Sequence, residues 1–369
     1  MTAPATTPPT ATPPASPAGP AGRRESARRA SGLGGFLARR ALAGALLVVG
    51  ITVVAFLLTH VVPGDPAAAA LGQRAIEDPA TVAAFRAKYG LDQPLWQQYL
   101  TYLGNLLQGD LGTSQQTRRP VTTDLLEYLP PTIELALVAI VISLVVGVLL
   151  GTVAALKRDR WPDQLIRVVS LTGVSVPTFW LALTASLVFS VKLGWFSSTG
   201  QLDPGYPASP RVTGLLLVDS LLDNDPFTFQ MALHHILLPA LVLSAYTVGL
   251  ITRFTRASVL EVLGNDYVRA ANAKGLPRRT VIVRHVLRPA MVPIITVSGL
   301  AFGSLLSGTV LVESIFSWPG LGQYAYKSSL ALDLPAVMGV SVTVAVVYVV
   351  INLVIDVLYG VIDPRIRLS

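Results

Sequence analysis

The chain has 369 residues, 52% hydrophobic and only 13% charged. Soluble proteins carry roughly 25% charge, so a polytopic membrane protein is expected. It has no cysteine, which excludes disulfides, thiolate metal sites and cysteine nucleophiles, and its +7 net charge follows a membrane pattern rather than marking a nucleic-acid binder.

Residues 1–35 are Pro, Ala, Thr and Ser, closing on Arg23, Arg24, Arg28 and Arg29. Such a stretch buries too little apolar surface to fold. It reads as a disordered cytoplasmic tail that fixes orientation, with arginines able to meet anionic lipid headgroups.

Six apolar spans follow: Ala41–Val62, Leu135–Leu156, Val168–Val191, Met231–Thr252, Ala290–Val312 and Ala336–Ile355. Each is about 20 residues or more, enough to cross ~30 Å of hydrocarbon as a helix. None contains Asp, Glu, Lys or Arg. With the N-terminus inside, twenty of the 28 Lys and Arg fall in inside segments. That bias places both termini in the cytoplasm. The expected layout is a tail over 1–35, a first helix within 36–62, an extracytoplasmic segment over 63–131, a core over 132–360 with a cytoplasmic loop over 253–289, and a C-terminal tail over 361–369.

The segment 63–131 opens on the turn Pro63-Gly64-Asp65-Pro66. It then predicts an amphipathic helix around Leu95, Tyr99, Tyr102 and Leu103, with Trp96 suited to the membrane interface. Gly147 and Gly151 in the second span, and Gly299, Gly303 and Ser307 in the fifth, put small residues at four-residue spacing. They allow close helix approach, either inside the subunit or against a second one. Pro177, in Ser175-Val176-Pro177-Thr178-Phe179-Trp180, should kink or break the third span. The stretch from Lys192 to Gln230 is Pro-rich and reads as loop. Glu313 to Gly322 reads as an aromatic stretch turning at Pro319-Gly320 in the outer interface.

The most informative stretch is Asp266–Pro289, polar and basic between two spans. Arg269 to Lys274 reads as a helix. Gly275 can take the left-handed conformation that ends it, and Pro277 suits the first turn of the next. A helix–elbow–helix on one membrane face is expected.

This stretch resembles the cytoplasmic coupling loop, the "EAA" loop, of permease subunits in binding-protein-dependent ABC importers. Ala270, Ala271 and Gly275 match the pattern, Arg269 stands for its Glu, and Tyr267 to Gly275 is close to the peptide-importer form. Further resemblance to the dipeptide/oligopeptide/nickel group lies in Val62-Pro63-Gly64-Asp65-Pro66, Tyr89 to Pro94, Leu103 to Gly112, Ser175 to Trp180, Glu313 to Gly322 and Tyr359 to Arg365. The resemblance implies an all-α type I importer permease with six transmembrane helices in the bacterial inner membrane. It implies a second homologous permease, two ABC ATPase subunits or domains holding ATP and Mg, and an extracytoplasmic substrate-binding protein. It also implies that Tyr267, Arg269, Ala270, Ala271, Lys274, Gly275, Leu276 and Pro277 couple to the ATPase. Pro177, Trp180, Gly299, Gly303, Ser307 and Asn352 are candidates for the translocation pathway or a gate.

No catalytic constellation is present. There is no phosphate-cradling Gly-rich run, zincin motif or nucleophile elbow, and His234, His235 and His285 are too scattered for a metal site. The chain is expected to hold no cofactor and to hydrolyse nothing. Secondary transport needs ionisable groups deep in the bilayer. Glu134 lies at the outer mouth, and Asp356 at the inner edge can pair with Arg365 or Arg367. Energy for uptake should therefore enter from outside the chain. The expected cargo is a short peptide, with nickel complexes or glutathione as alternatives. An ion-coupled transporter or a membrane scaffold are the competing classes.

Overall fold

A computed structural model describes residues 39–57, 79–80, 82–84, 92–197 and 199–362, excepting the side chains of 306–307 and 356–362. The N-terminal tail, the turn at 63–66, Tyr89–Gly90 and the basic C-terminus lie outside the described residues. Among those described, the only β pairing is an isolated bridge between Thr113 and Pro120.

The helices are α1 (Arg39–Leu57), α2 (Leu95–Leu107), α3 (Val121–Leu156), α4 (Trp161–Ser175), α5 (Thr178–Ala185), α6 (Leu216–Leu222), α7 (Pro226–Leu263), α8 (Asp266–Ala273), α9 (Arg288–Ile315), α10 (Leu321–Leu330) and α11 (Leu334–Ile362). Among the described residues five rods are long and apolar enough to cross a membrane; a sixth candidate span is α4 with α5 and its π-helical continuation Ser186–Lys192, bent by 103°. The expected proline effect is thus a full break. Val176 is extended, and Pro177 starts the next helix because it cannot donate to the one before.

α3 and α7 lie in close contact. A Cβ on Gly147 would lie 2.7 Å from Ile251, and one on Gly151 would lie 2.6 Å from the Thr252 carbonyl oxygen. Gly249 and Gly173 likewise admit the backbone of Ser170 and Ala245, so α4 lies against α7. In the fifth span Gly299 meets Ile355 and Gly303 meets Tyr348 of α11. These glycines serve packing within the subunit, where a Cβ would collide. The main core gathers Leu135, Ile236, Ile251, Ile294, Val312 and Trp318. α1 lies against α11 at Gly44 and Val349, leaving an apolar cavity of about 510 Å³ lined by Leu47, Ile51, Gly303 and Tyr348 among others.

Two expectations change. α3 begins at Val121, well before Leu135, and carries Pro130 and Pro131 inside it. Those prolines strip the i−4 partners from the carbonyls of Leu126 and Glu127. Arg211 Nη2 donates to both, at 2.8 and 3.1 Å. The stretch 192–230 is therefore not a plain loop. It contains α6, whose Leu217 N–H donates to Glu134 at 2.7 Å, while the buried Asp219 gathers the N–H groups of Val212, Thr213 and Gly214.

Candidate functional site

The sequence-predicted elbow forms as a Schellman turn. Gly275 N–H donates to the Asn272 carbonyl at 3.0 Å, and Leu276 N–H reaches the Ala271 carbonyl at 3.4 Å. This closure requires a left-handed residue, and Gly275 has φ +71°. Pro277 then leads into Arg278–Thr280 and the π-helical Val281–Leu287, which runs without a gap into α9.

At 8 residues α8 is too short to hold its own shape in water. Tertiary burial holds it: Val268 and Ala271, three apart, are buried in the main core. Tyr267, Ala270 and Lys274 form an exposed stripe beside them. The two alanines that the motif treats alike thus do different things. Ala271 fastens the helix to the bundle, and Ala270 leaves the outer surface flat. Arg269 is also exposed, paired with Asp266 at 2.9 Å, a solvated i,i+3 contact worth little in stability. Leu276 and Pro277 are exposed beside Gly275.

One ion pair stands above the elbow that sequence reasoning missed. Arg256 Nε and Nη2 donate to Asp163 Oδ1 and Oδ2, both at 2.7 Å. Asp163 is fully buried and accepts a third bond from Asp159 N–H at 3.0 Å. The pair ties the first turn of α4 to the last turns of α7, shortly before α8 begins. No local pattern marks residues 93 apart as partners.

At the other end of the bundle Glu313, fully buried, accepts from Thr132 Oγ1 at 2.7 Å and from Gln323 N–H at 3.0 Å. Gly320 and Gly322 lie directly on its carboxylate. Trp318 is 1% exposed and gives its Nε1–H to the Pro131 carbonyl. This corrects the expected interfacial aromatic turn: the indole is core, because its one donor finds a carbonyl inside the protein. His235, buried, has Nδ1 near the carbonyls of Thr199 and Gly200 and Nε2 at 3.2 Å from Asp203, so it is a satisfied histidine. Burial raises the Asp219 carboxyl, but hydrogen bonds from Thr213, Gly214 and Val212 outweigh it and hold its pKa below the usual carboxylate value.

The pathway candidates do not converge on one spot. Pro177 and Trp180 sit at the α4–α5 break, both exposed. Gly299 and Gly303 face α11, and Asn352 on α11 is half-buried. The side chain of Ser307 lies outside the described residues.

Comparison with known proteins settles the class of this arrangement. The family described as "Binding-protein-dependent transport system inner membrane component" matches residues 147–368, and its N-terminal companion matches 33–136. The chain belongs to this family of binding-protein-dependent transport permeases. The Escherichia coli "Probable D,D-dipeptide transport system permease protein DdpB" is 44% identical over 87% of this chain and 94% of its own. The Pseudomonas aeruginosa "Di/tripeptide transport system permease protein DppB" is 44% identical over 90% and 98%. A solved chain of the MetNI methionine ABC transporter is similar over 63% of this chain and 93% of its own, with a TM-score of 0.45 and 14% identity, a likeness too distant to carry detail. As a permease, the chain is a membrane-embedded component and not the catalytic part of its system.

Proposed function

We propose that this permease is half of the translocation pathway of an ATP-driven importer, taking short peptides from an extracytoplasmic binding protein. The observation that carries the reading is the elbow. Its short helix is anchored by Val268 and Ala271 and presents Tyr267, Ala270 and Lys274 outward, with the Gly275 turn beside them. Two ATPase subunits or domains, which would hold ATP and Mg, take that face as their contact. Displacement of α8 passes directly to α7 and α9, which flank it in the chain. The bias of Lys and Arg supports a cytoplasmic elbow and cytoplasmic termini. A second, homologous permease completes the pathway. The peptide assignment is supported by the dipeptide and di/tripeptide names of the relatives. Nickel complexes or glutathione are the alternative cargo.

Reconstitution tests this. Uptake should require the ATPase partners, ATP and the binding protein together. Uptake by the chain alone under an ion gradient would overturn the proposal, and binding of labelled peptides, nickel chelates and glutathione to the cognate binding protein identifies the cargo.

A further inference from the structure

We propose that the break between α4 and α5 is a water-facing segment of the translocation path, lined by its own backbone. The inference rests on the permease reading and names where the path runs past this chain.

The break lies level with the middle of the bundle. Gly173, one turn before it, packs on Ala245, at the middle of the 38-residue α7. Around Pro177 both helices end without replacement partners. Among the described residues, Leu181 N–H returns to the Pro177 carbonyl and Val176 N–H to that of Thr172. The carbonyls of Gly173, Val174, Ser175 and Val176 and the N–H groups of Thr178, Phe179 and Trp180 have no protein donor or acceptor among the described residues, and α5 has no side-chain cap. Each such group costs several kcal/mol in hydrocarbon, so irregular backbone at membrane depth survives only inside protein or against water.

The subunit covers the break only in part: Val176 and Thr178 are half-buried, but their neighbours are not. Val174 is 38% exposed, Phe179 49% and Trp180 53%, and Ser175 is exposed between them. Lipid is excluded by the energetics of the backbone. Water is favoured over a partner's apolar surface because a polar cargo needs hydrogen-bonding groups at this depth, and the subunit's side chains offer few. The hydroxyls of Thr172, Thr296, Ser298 and Ser304 are spent on carbonyls one turn back. The exposed large side chains of the long helices are mostly Leu and Val, with Tyr246 on α7 and Tyr348 on α11 among them. Beside the Tyr246 and Tyr348 hydroxyls, the broken backbone is the unspent polar surface at mid-depth among the described residues.

The native chain has no cysteine, so single cysteines report cleanly. Ser175→Cys and Thr178→Cys are made in the assembled transporter in membrane vesicles. They are reacted from each side with a membrane-impermeant maleimide, with Val141→Cys and Leu149→Cys on exposed faces of α3 as controls. In at least one nucleotide state the break cysteines should label about tenfold faster than the controls, because a thiol in an apolar setting keeps its proton and loses the reactive thiolate. Labelling no faster than the controls in every nucleotide state, in variants that still take up peptide, overturns the lining and shows the break covered by protein. Failure of the unsubstituted complex to show ATP-driven uptake would instead strike the permease reading, so the two failures are distinguishable.

Discussion

Arg256 holds Asp163 with two parallel bonds of 2.7 Å, joining α4 to α7. Asp163→Ala leaves a guanidinium only 23% exposed without its partner, and should destabilise the chain by about 3 kcal/mol. The paired change Asp163→Leu with Arg256→Met should recover most of this. Thermal unfolding in detergent reads both, and equal loss in single and double variants would show that the cost does not come from the unpaired guanidinium.

At the elbow, a Cβ on Gly275 meets nothing within 4 Å, so only the backbone resists substitution. Gly275→Val should cost about 1–2 kcal/mol locally, whereas Gly275→Asn, which tolerates the left-handed region, should be nearly neutral. The expected outcome is lost ATP-driven uptake in the Val variant, a retained fold, and near-normal uptake in the Asn variant.

Gly322 and Gly308 provide a contrast. A Cβ at Gly322 would fall 2.5 Å from the Val310 Cα, while one at Gly308 meets nothing within 4 Å. Gly322→Ala should therefore lower stability by about 2 kcal/mol or more, through forced backbone movement. Gly308→Ala should be neutral or slightly stabilising, because alanine suits a helix interior. Melting temperatures of the two variants decide.

Arg211 serves carbonyls that two prolines leave open, but it is exposed and water can replace it. Arg211→Ala should cost no more than about 1 kcal/mol. Its effect should show in faster hydrogen exchange or proteolysis across 197–225, with the spanning helices unaffected.

Asp219 and Asp225 both have pKa values held below the ordinary carboxylate value. For Asp219 the hydrogen bonds outweigh burial; for Asp225 the Thr228 hydroxyl and N–H and the Phe227 N–H supply the effect. A depressed folded pKa means stabilisation present above the unfolded value of about 3.9 and lost as pH falls through the folded one. Protection of 212–228 should hold from pH 7 to 5 and fail only below about pH 4. Asp219→Asn should weaken it at every pH and flatten this dependence.

Much of the fold was legible because the bilayer imposes long charge-free runs, and the elbow was legible because Gly275 and Pro277 each permit few conformations. Sequence also located the break at Pro177, though not its 103° angle, which is set by how α4 and α5 pack on α7 and α9. What was missed depends on distant partners. Asp163 with Arg256, Glu134 with Leu217 and Arg211 with Leu126 each join residues far apart in the chain. Trp318 was misplaced because an indole near a membrane boundary suits either the headgroups or a core carbonyl, and only the Pro131 oxygen decides.

α7 is a single rod of 38 residues, capped at its start by Asp225 and followed after Leu263 by the elbow. At 1.5 Å per residue it is about 57 Å long, so a tilt of about 5° carries one tip roughly 5 Å relative to the other. A shove at one membrane face thus arrives at the opposite face as sideways travel wide enough to pull neighbouring side chains apart. Pro239 is the weak point in the shaft, and stiffening it there should sharpen the stroke.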